Sequence, residues 1–215
     1  MRKNSIENGF IYHIFSKSIA GYRIFKKRSD FERFFAMLRF YQLDSLPAKF
    51  SVYQSMEDQE LYFENYLKNN RHLVEIIGYC IMPTHFHLIL KQLETKGITI
   101  FIKNLLDSYS RYFNIRNSRK GPLWQGRFKS VLVDKDEYLL HLSRYIHLNP
   151  VSDHLVEEPA DWSYSSYLEY IHKVKNGICN FSDYITITPA EYREFVESRK
   201  DYQCELTRIK HLLLE

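Results

Sequence analysis

With 215 residues, 45% of them hydrophobic and only seven Gly and six Pro, the chain has the composition of an ordinary folded domain, not a disordered linker. No run approaches the eighteen or so apolar residues of a membrane span. Met1-Arg-Lys-Asn-Ser5 leads straight into a strand-like stretch with no hydrophobic signal region, so a cytoplasmic protein is expected.

Three cysteines, Cys80, Cys179 and Cys204, are odd in number, far apart and form no C-x-x-C pair; they read as reduced thiols. The net charge of +4 hides an asymmetry. Residues 1–149 hold 23 Lys and Arg against 14 Asp and Glu, whereas residues 150–215 hold 7 against 12. A basic body with an acidic tail points to a polyanionic partner for the body.

Phe10–Ile19 reads as a first strand. Ser29-Asp-Phe-Glu32 reads as a capping box, after which Phe31, Phe34, Phe35, Leu38 and Gln42 share one helical face. Residues 44–71 are more polar and form an excursion, with a helix expected near Asp58–Lys68. Leu73–Ile81 and His85–Lys91 are β-rich runs on either side of the turn Met82-Pro-Thr84, the pattern of a hairpin.

Ile102, Leu105, Leu106, Tyr109 and Phe113 give Ile100–Asn117 an amphipathic helical spacing. Phe128–Val133 is a further strand. Asp134-Lys-Asp-Glu137 reads as a second capping box, opening a helix expected to run to about Leu148 and stop before Pro150. Trp162–His172 and Pro189–Leu214 look helical. The expected fold class is α+β, a mainly antiparallel sheet with flanking helices. Residues 1–150 form the body and 151–215 a mostly helical extension.

Three features carry chemistry. On a strand, His85 and His87 project from the same sheet face, about 7 Å apart along the chain, near enough to share one ion. Alone, H-x-H is a weak signal, because two histidines at this spacing occur by chance and usually mean little. In the following helix His141, Tyr145 and Asn149 fall at i, i+4 and i+8, beside Tyr138. Imidazole, phenol and carboxamide in one stripe are unusual for a core face, while the plain alternative is a packed tyrosine and an asparagine that ends the helix. Residues 101–130 carry seven Lys and Arg, one acid (Asp107) and six aromatic rings, the mixture expected where cations meet phosphates and rings stack on bases. Tyr109 and Phe113 fit the core better. Arg116, Arg119, Lys120, Trp124, Arg127, Lys129 and, on the later helix, Arg144 are the candidate DNA contacts.

Taken in order, Tyr79-Cys-Ile-Met-Pro-Thr-His-Phe-His-Leu88, Leu123-Trp-Gln-Gly-Arg-Phe-Lys-Ser130, Arg144-Tyr-Ile-His-Leu-Asn-Pro-Val151 and Asp161-Trp-Ser-Tyr-Ser-Ser-Tyr167 resemble the single-tyrosine HUH transposases, and within them the REP-associated tyrosine transposases. The resemblance covers roughly residues 8–170. It implies a ferredoxin-like sheet carrying His85 and His87 as metal ligands, Asn149 completing the site, and Tyr145 as the nucleophile. It also implies magnesium or manganese as the divalent metal, single-stranded or hairpin DNA as substrate, and a 5′-phosphotyrosine intermediate. Relatives of this kind include both dimers and monomers, which leaves a homodimer as one of two expectations. His141 receives no role. A relaxase or replication-initiator nuclease shares the same logic, and a DNA-binding protein that keeps the fold without cutting is the alternative from another class.

Overall fold

Alternation along the strands decides which residues meet the core. The computed structural model describes residues 5–46, 48–57, 70–174 and 177–205. Its four-stranded antiparallel sheet has the order β2-β3-β1-β4, built from β1 (Ile11–Lys17), β2 (Val74–Ile81), β3 (His85–Gln92) and β4 (Lys129–Val133). Even-numbered Tyr12 and Ile14 of β1, with Phe86, Leu88 and Leu90 of β3, point to one face and are buried there. The odd-numbered His13, His85 and His87 point to the other, as period-two alternation requires.

The even face is covered by α1 (Arg28–Tyr41) and α3 (Gly97–Arg116), with the short α2 (Phe50–Tyr53) beside them. Phe34, Phe86, Tyr109 and Trp124 form its centre; ring centroids lie 5.2 Å apart for Phe34–Phe86 and 5.6 Å for Phe86–Trp124. Fully burying each such ring contributes about 1.5–3 kcal/mol before conformational entropy is counted. Gly97 is required where α3 starts, because a Cβ there would lie 2.2 Å from the Leu73 carbonyl oxygen.

The odd face is covered in part by α4 (Asp136–Ser152), α5 (Tyr167–Tyr170) and α6 (Pro189–Glu197). Leu139, Leu142 and Ile146 of α4 pack with Ile77, Ile89, Tyr167, Tyr170 and Tyr192 in a second core cluster. The segment before α5 also closes the outer edge of β2: Ile81 N donates to Tyr164 O and Ser166 N to Tyr79 O, both at 2.9 Å. A bare sheet edge invites pairing with other chains; here the acidic tail occupies it.

The boundaries differ from the sequence expectations in four places. The first helix is capped from within: Asp30 accepts from the Lys26 and Lys27 backbone N–H groups at 3.0 and 2.9 Å, so Ser29 and Glu32 do not form the box. Lys135, not Asp134, precedes α4, with Asp136 and Glu137 in the first turn where the helix dipole favours them. Pro150 lies inside α4. It removes one donor from the final turns, but Leu148, Val151 and Ser152 are buried there, and Asp153 N still reaches Asn149 O at 2.9 Å.

Fourth, Trp162–His172 is helical only over α5. The expected helix near Asp58–Lys68 lies outside the described residues, as does the end of the expected Pro189–Leu214 helix beyond Glu205. Among the described residues no helix is long and apolar enough to cross a membrane.

Candidate active site

His85 and His87 sit on the odd face of β3 with ring centroids 5.1 Å apart and planes nearly perpendicular. Each is held through Nδ1. Thr84 Oγ1 lies 3.0 Å from His85 Nδ1, and His13 Nε2 lies 2.9 Å from His87 Nδ1. Neither Nε2 has a hydrogen-bond partner among the described residues. Burial pushes His85 and His13 down to about 4 and His87 well below its usual value, with the charge of Lys17 adding to the effect on the pair. All three rings are therefore neutral near pH 7, with lone pairs available.

The helix α4 brings the phenol to this pair. Tyr145 meets His87 edge to face, ring centroids 5.8 Å apart, and keeps 38% of its surface exposed. Residues 58 positions apart in sequence thus meet because α4 packs across the odd face through Leu142 and Ile146. Burial of the hydroxyl raises the Tyr145 pKa, and Asp153 raises it further, while the neighbouring Asn149 side chain works in the opposite direction. The phenol is thus protonated at neutral pH. Asn149, one turn on and 7% exposed, has a buried Nδ2 with no acceptor. An orphaned buried N–H donor is costly, and an acceptor such as a phosphate oxygen would satisfy it.

His85, His87 and Tyr145 are brought together, with Asn149 joined to them through the phenol. The remaining stripe residue, His141, points away; its Nδ1 lies 2.8 Å from Arg144 Nη2 and its ring packs on Phe195. Among the described residues no three His, Cys, Asp or Glu side chains converge closely enough to hold a metal ion. A cation here would take the two Nε2 atoms and the Asn149 carboxamide, with further positions left to water or phosphate. That donor set, two neutral imidazoles, one amide and open positions, suits a catalytic ion better than a closed structural one.

The candidate DNA contacts divide. Lys129 on β4 is exposed, its Nζ 5.9 Å from the Phe15 ring, beside the histidine floor. Arg127 and Lys120 are also exposed. The loop that carries Arg127 is tied to the His85 end of β1 by Gln125 N donating to Lys17 O at 2.9 Å. Arg119 is folded onto its own loop, reaching the Pro122 carbonyl at 2.6 Å. Arg116 is on the far face, paired with buried Asp30 at 3.1 Å. Arg144 lies over the Phe195 ring at 4.1 Å.

Trp124 is no stacking platform: it is 8% exposed, packed on Phe86, with Nε1 donating to Ser110 Oγ at 3.0 Å. Sequence reading missed Lys17, directly opposite His85 in the β1–β3 register, and His13. The strand alternation around Phe10–Ile19 contained both, but only the pairing register reveals their neighbours.

Residues 51–149 match the family model described as IS200-like transposase. A candidate REP-associated tyrosine transposase of Haemophilus influenzae is 32% identical over 103 residues, 43% of this chain. The resemblance to the REP-associated tyrosine transposases holds. The match spans 58% of that relative's length. A solved structure of a REP-associated tyrosine transposase bound to a REP hairpin superposes with a TM-score of 0.50 at 17% identity, covering 87% of this chain and 98% of that one; at that identity the likeness is one of fold. The matched transposase-like stretch contains His85, His87, Tyr145 and Asn149 and begins after β1, so Lys17 and His13 lie outside it.

Proposed function

We propose that this chain cuts and rejoins single-stranded or hairpin DNA through Tyr145, in the manner of a transposase, with a divalent metal at His85, His87 and Asn149. The observation that carries the reading is the Tyr145 ring meeting His87 at a right angle, with His85 beside His87 and the Nε2 atoms of both imidazoles open. Magnesium or manganese, when bound, supplies Lewis-acid stabilisation of charge on the scissile phosphate. Manganese reconciles imidazole ligands with phosphate chemistry better than magnesium does.

The chain's own residues do the rest. Tyr145 gives its proton to solvent and attacks phosphorus; the bond to the 3′ oxygen breaks, that oxygen takes a proton from solvent, and the 5′ phosphate stays on the phenol. The new ester conserves the energy of the old one, so another 3′ hydroxyl can reverse the step. Asn149 orients the Tyr145 hydroxyl, while Lys17 and Lys129 at the rim are placed to hold flanking phosphates. Exposed backbone is needed because the phosphate must reach a partly buried phenol, which favours single strands and hairpins over regular duplex.

A second reading, binding without cleavage, draws on the raised pKa of Tyr145, which leaves an inert phenol at rest. Labelled hairpin oligonucleotides incubated with the protein and manganese separate the two. A covalent protein–DNA adduct that disappears in Tyr145→Phe while binding survives is the expected result. Cut DNA without adduct indicates a water-using phosphoesterase, and a shifted band alone indicates a binder.

A further inference from the structure

The histidine floor contains one imidazole that the proposed chemistry does not use. His13 on β1 is diagonal to His87 across the β1–β3 pair, since His87 is directly opposite Phe15. It is 7% exposed. Its ring packs on Phe15, centroids 4.9 Å apart, and stacks on His87 at 5.1 Å. Its β1 neighbours on the same face, Ile11 and Phe15, are apolar, and Val131 lies opposite it on β4. A purely structural position there would be filled at lower cost by valine or isoleucine, because a buried imidazole must find a partner. The partner found is His87 Nδ1, at 2.9 Å.

Only one of the two rings can donate in that contact. If His13 donates, His87 carries its own proton on Nε2 and has no lone pair there. If His87 donates from Nδ1, its Nε2 lone pair is free and faces the site. Ligating histidines are generally fixed in this way, by an acceptor on the ring nitrogen away from the ion.

We propose that His13 is a positioning residue for metal binding: its Nε2 accepts the Nδ1 proton of His87 and keeps the His87 Nε2 lone pair turned toward the cation. Thr84 Oγ1 stands in the corresponding place behind His85, at 3.0 Å from Nδ1, so each imidazole has its own orienting group. This inference rests on the metal reading of the site. It goes beyond it by assigning a function to a residue outside the transposase-like match. His13 is not a further ligand: its Nε2 is engaged by His87, and among the described residues no third His, Cys, Asp or Glu converges with the pair to hold an ion.

The test measures Mn2+ affinity of the DNA-free protein, from the loss of the free aqueous Mn2+ paramagnetic resonance signal, across wild type, His13→Leu, His13→Gln and His13→Asn. The glutamine amide reaches the place of Nε2 and the asparagine amide does not. Leu and Asn are expected to weaken Mn2+ binding by about 10–100-fold, the usual cost of removing such a partner, with Gln restoring most of it. Leu binding as tightly as wild type, or Gln no better than Asn, overturns the role of His13. Wild type failing to bind Mn2+ at all sinks the metal reading instead, and the inference with it. Should His13→Leu not fold, the Gln–Asn contrast between two polar side chains carries the decision.

Discussion

Two buried histidine environments in this molecule have opposite designs. His147, fully buried on α4, uses both ring nitrogens: Nδ1 lies 2.7 Å from Tyr192 Oη and Nε2 2.8 Å from Ser166 Oγ. Tyr192 donates onward to Ser143 Oγ at 2.8 Å, so its oxygen is left to accept from His147. His85 and His87, only a few ångströms from the same helix, are held by one nitrogen each and leave the other open. The first arrangement fastens the tail to α4; the second presents lone pairs to an incoming group. Burial alone therefore does not mark a functional histidine, since His147 and His87 are both buried and neutral. The open nitrogen does.

Exchanging the two kinds gives the largest expected contrast. His85→Ala is expected to lower adduct formation by more than about 100-fold, as loss of a metal ligand should, with thermal stability close to wild type because His85 is only half-buried at the rim. His147→Leu is expected to do the reverse. It takes one hydrogen-bond partner from each of Ser166 and Tyr192, which keep Tyr79 and Ser143, at a cost of about 1–3 kcal/mol in unfolding free energy, while the folded fraction keeps its Mn2+ affinity. Chemical denaturation alongside the adduct assay would show it, and a His147→Leu protein that is stable but inactive would contradict the division.

Acid tests the fully buried environment next. Burial holds His147 down at about 3, against an ordinary value near 6.5. The unfolded chain therefore binds a proton below about pH 6.5 that the folded chain refuses until about pH 3. Stability from this residue is complete above 6.5 and is lost as pH falls through that window, at about 1.4 kcal/mol per pH unit. His147→Leu should remove roughly one proton's worth of that slope in denaturation measured from pH 7 to 4. In the other direction, the raised pKa of Tyr145 makes adduct formation rise with pH between 7 and 9. A flat profile there would mean that deprotonation of the phenol does not limit the reaction.

Much of this was legible before any coordinates. The hairpin around Met82-Pro-Thr84, the stripe through Tyr145 and Asn149, and the core faces of Phe34, Tyr109 and Phe113 all follow from local periodicity, which strands and helices impose on any sequence. What periodicity cannot supply is register. His13 and Lys17 were present in an obvious strand, yet their pairing with the His85–His87 segment depends on how chains 74 residues apart align. Trp124 shows the same limit from the other side. A tryptophan among cations reads as a stacking surface, and only packing shows that its ring completes the α1–α3 core. Likewise Pro150 ends a helix by its own chemistry but not against the buried turn that contains it.

The smallest effect concerns the two cations that sequence alone cannot rank, Lys129 and Arg116. Both belong to the basic stretch 101–130, but Lys129 stands over Phe15 at the rim of the histidine floor and Arg116 pairs with Asp30 on the opposite face of the sheet. A phosphate contact contributes through counterion release, so losing one lowers the slope of log affinity against log salt by about 0.7 for single-stranded DNA. Lys129→Ala should therefore weaken hairpin binding several-fold at low salt, flatten that slope by about this amount and leave stability unchanged. Arg116→Ala should leave the slope alone and cost less than about 1 kcal/mol of stability, since Asp30 keeps the backbone N–H groups of Lys26 and Lys27 and the Tyr112 hydroxyl as donors. Equal salt slopes in the two variants would mean that DNA does not distinguish the faces, and the odd face would lose its claim to be where the strand lies.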